Sequence, residues 1–454
     1  MSIRNRIFSF LKFSILNRII VFFNQYFRHA LFIAYFGLDQ YGIWIFLMTI
    51  PAYLTLSDFG ISDTAENHIN LNLFKISNED ISKIFWSSVS IAISIFLILF
   101  IMINLYFENL VNQYTKLYPI TDGKNLFFLN LILLYSFIII INKKFQSIIV
   151  ANKHYNFLIN LRSISILIEL FSISIVCFLK LNLEILIISF IIIRFFMFLI
   201  TLFKFTSYKI ITFKISNLSF FNYVGLYKKS LMFLLAPIVN LIRLQGVVFL
   251  FMNFFSPNLV SIYSVTSTLI RSTSIMMHLT SGPINIESAK LFADKSYKRI
   301  LNLINIQISF YFWISIFLLP FFIVFSDDFF NLWLNQKDIL DMEFLIILFF
   351  SNIFFLISRP YHSFILSINK HNEYIFLTSV ISVIYFVIFY LILFNNHNIN
   401  PLYMILFIDF FIYIISIYCI NRLIYNLNVL SSLSPFGLIK ILIMTKNHFF
   451  NEKK

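Results

Sequence analysis

Charged residues inside long apolar runs are where this 454-residue chain could do chemistry. Eight are basic, Arg18, Arg28, Lys143, Lys144, Arg194, Arg243, Arg271 and Arg359, and three are acidic, Asp58, Glu169 and Asp409. A charge at the centre of a bilayer costs at least ~2.5 kcal/mol on insertion scales, so each must face protein or a water-filled interior. The surplus is cationic and implies an anionic passenger. A guanidinium presents a planar fork of donors that fits phosphate oxygens and keeps its charge in a low dielectric. Arg28, Lys143, Arg194, Arg243, Arg271 and Arg359 are therefore the candidate substrate-binding residues of a cationic cavity. Arg18 and Lys144 can instead snorkel to the interface. Asp58, Glu169 and Asp409 are the carboxylates available to a coupling ion, and Glu169 is also placed to pair with Arg194 on the neighbouring span.

Helical phase gathers some of these groups. Arg18, Gln25 and Arg28 fall on one stripe with Asn17 and Asn24 beside it, while Ser264, Ser267, Arg271, Ser274 and His278 recur at three- and four-residue steps. A polar stripe on an apolar helix points to a cavity or a partner helix. His278 and His362 have no second ligand at metal spacing and read as hydrogen-bonded helix residues. Cys177 and Cys419 lie in apolar runs without zinc spacing. No glycine-rich nucleotide cradle or facing pair of carboxylates is present in the sequence, so neither a cofactor nor an enzyme is expected. The longest external segments, 107–124 and 327–343, are too short to house an active site, which weighs against a polymerase or ligase of polysaccharide assembly.

The elements that must hold these residues are set by composition. With 60% hydrophobic and 12% charged residues, the chain has more apolar surface than a soluble globule of its length can bury. Its apolar runs last roughly 20 residues, the length of a membrane-crossing helix. Spans are expected near 15–36, 41–62, 84–106, 125–150, 162–179, 185–203, 230–255, 259–280, 301–325, 344–366, 375–394 and 401–420. "FGLIKILIM", from Phe436, is too short to cross and reads as interfacial. The basic, then apolar, N-terminus has no small-residue cleavage site and reads as an uncleaved first span. Of the 34 Lys and Arg residues, 22 fall in the segments on one side, against only Lys116, Lys124, Lys180 and Lys337 on the other. By the positive-inside rule both termini are cytoplasmic. Topology thus accounts for the net charge of +14 without a nucleic-acid partner.

Two stretches echo each other, "NKKFQSIIVANKHYNF" from Asn142 and "SRPYHSFILSINKHNEY" from Ser358. Lys143 and Arg359 are 216 positions apart, as are Ser147 and Ser363, and Asn-Lys-His follows one inserted residue later. Both fall at the cytoplasmic end of a span, the fourth and the tenth. The expected fold is an all-α integral membrane protein of about twelve transmembrane helices, in two parallel six-helix bundles around a central cavity. Residues 1–203 form the first bundle, 204–229 a basic cytoplasmic linker, 230–420 the second bundle and 421–454 a basic cytoplasmic tail.

The stretch "FRHALFIAYFGLDQYGIWIFLMTIPAYLTLSDFGIS", Phe27 to Ser62, resembles the opening of the polysaccharide-unit flippases (Wzx type) of the multidrug/oligosaccharidyl-lipid/polysaccharide (MOP) exporter superfamily. Those proteins carry Leu-Gly-x-x-x-Tyr-Gly-φ-Trp between their first two spans and Asp-φ-Gly-φ at the close of the second. The counterparts are Gly37, Tyr41, Gly42 and Trp44, then Asp58, Phe59, Gly60 and Ile61; the second half has "VSIYS", from Val260, in place of the turn. The resemblance implies movement of an undecaprenyl-pyrophosphate-linked oligosaccharide across a bacterial inner membrane for O-antigen, lipopolysaccharide or capsule assembly. It also implies a polysaccharide polymerase and a chain-length regulator as partners. A cation-coupled multidrug exporter of the same superfamily is the alternative; it predicts carboxylates and aromatics in the cavity, against the cationic surplus seen here.

Orientation is directly testable. In a chain lacking Cys177 and Cys419, the single variants Lys214→Cys and Ser431→Cys should resist an impermeant thiol reagent in intact cells, and Gln336→Cys should react. Labelling of Lys214→Cys from outside would reverse the orientation.

Overall fold

The computed structural model describes residues 3–55, 77–106, 125–152, 154–208, 235–274, 291–292, 294–334, 341–368, 370–395 and 399–423. Asp58 to Ile61, His278, residues 209–229 of the expected linker and the tail from 424 onward lie outside them. Among the described residues every regular element is a helix. These are α1 (Ile3–Leu47), α2 (Thr49–Leu54), α3 (Asn78–Leu105), α4 (Asn125–Ala151), α5 (Tyr155–Phe178) and α6 (Leu183–Thr206). They continue with α7 (Leu235–Phe254), α8 (Pro257–Arg271), α9 (Tyr297–Leu334), α10 (Met342–Ser367), α11 (Asn372–Asn395) and α12 (Leu402–Leu423). Among the described residues ten segments are long and apolar enough to cross a membrane, so this is a multi-pass membrane protein. The first of the ten, Ile15–Leu54, joins two expected spans, and α8 is too short to be counted among them.

The join lies at Gly37, whose φ of 77° and ψ of 171° break α1 into two helices. Positive φ is cheap only for glycine, so this residue lets the chain reverse after the first span. Behind the bend the Tyr41 hydroxyl meets His29 Nδ1 at 2.6 Å, and Tyr41 and Trp44 both pack on Phe32. Ser261 donates to the Leu38 carbonyl at 2.6 Å, and a Cβ on Gly42 would overlap the Pro257 carbonyl. The residues of the Gly-x-x-x-Tyr-Gly-φ-Trp turn thus perform packing work: one reversal, one close backbone approach and two buried rings.

The chain divides into two compact units, Met1–Leu241 with Phe251–Ser261, and Ile242–Leu250 with Ile262–Lys454. α6 runs on through Lys204 to Thr206, into the segment expected to be linker. Each unit repeats one packing scheme: α4 on α6, α5 on α6 and α3 on α4 in the first, and α10 on α12, α11 on α12 and α9 on α10 in the second. The repeat holds residue by residue. α4 ends at Ala151 and α10 at Ser367, 216 positions on, while α5 (155–178) and α11 (372–395) match in length and are offset by 217. The extra residue lies in the intervening turn. Both turns close with a bond to the fifth residue back, His154 N–H to Ile149 and Lys370 N–H to Ile365, which preserves the 216 offset. His371, next in that second turn and outside the spans, is held below the ordinary histidine range by burial.

Gly42→Ala should force α1 and the start of α8 apart, an overpacking cost of about 1–3 kcal/mol. The purified variant should show a lower thermal midpoint and lower membrane abundance. A midpoint equal to that of the parent protein would mean the approach at Pro257 is not a constraint.

Candidate functional site

The second unit contains the most buried ion pair among the described residues. Arg243 sits in a π-helical turn of α7, Ile242–Gly246, an irregularity that turns its side chain out of simple helical phase. Its Nε and Nη2 donate to Asp409 Oδ1 and Oδ2 of α12 at 2.5 and 2.7 Å, and Ser351 of α10 donates to Oδ2 at 2.5 Å. Arg243 is 6% exposed and Asp409 0%. One carboxylate thus accepts three donors, the condition under which a buried pair offsets its desolvation.

Two further guanidiniums share this neighbourhood. Phe355 of α10 carries both Arg243 and Arg359 against its ring, each with Cζ 4.0 Å from the centroid. Arg359 Nη1 also lies 3.2 Å from His362 Nδ1. Arg271, at the end of α8, reaches the Tyr263 hydroxyl at 3.3 Å, and that hydroxyl donates to the Leu244 carbonyl of the π-turn at 3.4 Å. Thr273, just beyond, accepts from Asn352 of α10 at 2.8 Å. Among the described residues no carboxylate lies within 4 Å of Arg271 or Arg359. Three guanidiniums therefore share one carboxylate. Two positive charges, Arg271 and Arg359, remain available to an oxyanion, and Phe355 supplies a cation–π surface to the second of them.

The first unit holds a second centre. Arg194 Nη2 of α6 lies 2.7 Å from Glu169 Oε1 of α5, its Nη1 donates to Ser165 at 3.1 Å, and its Cζ is 6.0 Å from the Tyr135 ring centroid. Arg194, Glu169 and Tyr135 line a cavity of about 320 Å³ together with Asn24, Arg28 and Trp44. Arg28 has no carboxylate within 4 Å among the described residues. Here too the guanidiniums outnumber the carboxylate.

The 216-residue offset relates the two centres. Tyr135 and Ile139 of α4 line the first cavity. Their counterparts on α10, Ser351 and Phe355, carry Asp409 and the two arginines.

Of the sequence-predicted residues, the structure brings Arg243, Arg271, Arg359 and Asp409 together in the second unit, and Arg28, Arg194 and Glu169 in the first. Lys143 does not join either centre: it is exposed, and Lys144 beside it is buried. The echo therefore preserves the position of Lys143 and Arg359 but not their surroundings. On the first span, Asn24 and Arg28 face the cavity, Asn17 donates to Ser163 at 2.8 Å, and Arg18 and Gln25 are exposed. The expected Arg194–Glu169 pairing is observed. The Arg243–Asp409 pair, 166 residues apart, had no local signal in the sequence; nor did Ser351 or Phe355, which look like ordinary span residues.

No family model matches the chain, and no curated protein matches it in sequence. Solved structures do match in fold. The lipid II flippase MurJ, in an inward closed conformation, aligns with a TM-score of 0.67 over 95% of this chain and 93% of its own, at 16% identity. An inward-facing multidrug resistance MATE family transporter of the MOP superfamily gives 0.62 over 93% and 96%, at 12% identity. A Vibrio cholerae MATE transporter, VcmN, gives 0.57 over 94% and 99%, at 13% identity. The chain therefore has the helical fold shared by these flippases and transporters.

The buried pair sets a stability test. Asp409→Asn leaves Arg243 buried without a counter-charge and should cost about 3–5 kcal/mol, seen as a large fall in thermal midpoint. Adding Arg243→Leu should recover much of that loss. If the double variant is no more stable than Asp409→Asn alone, the pair is not the interaction that holds α7 to α12.

Proposed function

We propose that the chain is a flippase that carries an undecaprenyl-pyrophosphate-linked oligosaccharide repeat unit across the bacterial cytoplasmic membrane, with both termini cytoplasmic, for assembly of a surface polysaccharide. One observation carries the reading: three guanidiniums at a single buried carboxylate in the second unit. A pyrophosphate cannot cross hydrocarbon unaided, and Arg271 and Arg359 offer it charge-assisted donors in place of water. Arg243, neutralised and held by Asp409, keeps Phe355 and its neighbours in position. The polyprenyl tail stays in the bilayer while the head group is handed from one leaflet to the other, by alternating access between the repeats. A polymerase and a chain-length regulator would act on the delivered unit. The fold shared with the lipid II flippase MurJ supports this reading.

The fold shared with multidrug transporters favours a second reading, export of cationic drugs. Against it, Glu169 and Asp409 are each paired with an arginine, which leaves no described interior carboxylate free for a cationic passenger.

In cells, Arg271→Ala or Arg359→Ala should lower surface polysaccharide about 10–100-fold and leave lipid-linked oligosaccharide on the inner leaflet, as expected when a charged hydrogen bond of about 1.5–3 kcal/mol is lost. Lys at the same positions should retain part of the export, because charge survives while the fork is lost. Normal export by both Ala variants at normal abundance would overturn the reading.

A further inference from the structure

The cavity of the first unit differs in chemistry from the arginine cluster of the second. Its wall presents acceptors as well as donors: the Glu169 carboxylate and the Asn24 amide beside Arg28 and Arg194, with Trp44 and Tyr135 as apolar surface. Some of this capacity is unused within the protein. Asn24 Oδ1 and Arg194 Nε are buried and have no hydrogen-bond partner, whereas Glu169 Oε1 is ion-paired with Arg194 Nη2 at 2.7 Å. Each belongs to a side chain that lines the cavity, so rotation about its own bonds suffices to present it.

A phosphate group only accepts hydrogen bonds from such a wall. It could use neither the Asn24 carbonyl nor the Glu169 carboxylate, which can only accept. A hydroxylated ring both donates and accepts, and its C–H groups suit the π faces of rings such as Trp44 and Tyr135. A volume of about 320 Å³ is at the small end of the roughly 300–1,000 Å³ of small-molecule sites, which limits the occupant to little more than one ring. Arg28, without a carboxylate partner among the described residues, adds one uncompensated positive charge. We infer that this cavity binds a single sugar ring carrying an acidic substituent, a site which rests on the flippase reading insofar as that sugar is part of the passenger. The two units then divide recognition: the second unit reads the diphosphate, and the first selects the saccharide by its hydroxyls and its acid group.

The test uses the full-length protein in detergent and three probes: glucuronate, glucose and inorganic pyrophosphate. Fluorescence of Trp44, isolated by comparison with Trp44→Phe, should change saturably with glucuronate, at least ~5-fold more weakly with glucose, and not with pyrophosphate. Asn24→Leu should abolish the glucuronate response. Arg28→Gln should remove the preference for glucuronate over glucose. Pyrophosphate binding, measured by equilibrium dialysis, should persist in both variants and be lost in Arg271→Ala/Arg359→Ala; this persistence also shows that the two cavity variants are folded. A missing glucuronate response, a glucose response of equal strength, or a Trp44 response to pyrophosphate would each overturn the sugar site. If pyrophosphate binds through Arg271 and Arg359 while glucuronate does not bind, the flippase reading stands without the sugar site. If pyrophosphate fails to bind the parent protein, it is the flippase reading that falls.

Discussion

A guanidinium removed from water must recover its hydration from fixed partners, and the interior of this membrane protein holds more guanidiniums than its described carboxylates can serve. Arg243 recovers most from charge, through two bonds to Asp409 and a ring face on Phe355. Arg359 and Arg271 recover it only in part, from His362, Phe355 and Tyr263, all uncharged or weakly polar partners. Much of the second unit is arranged around that imbalance. The π-turn of α7 aims Arg243, α12 supplies the single acid, and α10 supplies the hydroxyl and the shared ring. Removing Asp409 would leave three unbalanced cations; adding a second acid would halve the charge left for a passenger.

The scaffold beneath this chemistry is duplicated, and the two copies have diverged at one face. α4 and α10 end at equivalent positions and pack against equivalent partners. At corresponding positions, however, Tyr135 and Ile139 border a cavity, whereas Ser351 and Phe355 are occupied by Asp409 and arginines. The difference lies in side-chain size and charge on the neighbouring helices, together with the π-turn of α7. α6 brings a cation, Arg194, to the first centre, and α12 brings an anion, Asp409, to the second. One helical frame thus supports an open, mixed-polarity pocket in one copy and a closed ion pair with surplus cations in the other.

The helices were legible because each apolar run is long enough to be unambiguous, and their ends were marked by polar segments. The repeat was legible from about seven letters because those letters sit at a helix terminus, where turn geometry constrains the chain. Arg194 with Glu169 could be paired because adjacent spans carry them at facing positions. Arg243 with Asp409 could not, since long-range pairing depends on how α7 and α12 pack and on a π-turn that no local pattern announces. Lys143 was misleading for a related reason: the echo fixes its backbone position, but the side chain beside it, Lys144, is the buried one. The Gly-x-x-x-Tyr-Gly-φ-Trp turn stood out in the sequence for its resemblance, and its visible work is structural, in the reversal at Gly37 and the approach of Gly42 to Pro257.

The central claim is that surplus arginines move a diphosphate head group through the membrane, and trans-bilayer movement in a purified system addresses it most directly. The protein would be reconstituted into liposomes that contain a fluorescent polyprenyl diphosphate saccharide, and the fraction of label accessible to an impermeant quencher followed over time. The account predicts that label initially protected in the inner leaflet becomes quenchable only in vesicles with the protein, and that a polyprenol without the diphosphate gains no protein-dependent movement. Equal protein-dependent movement of both lipids, or of neither, would contradict it.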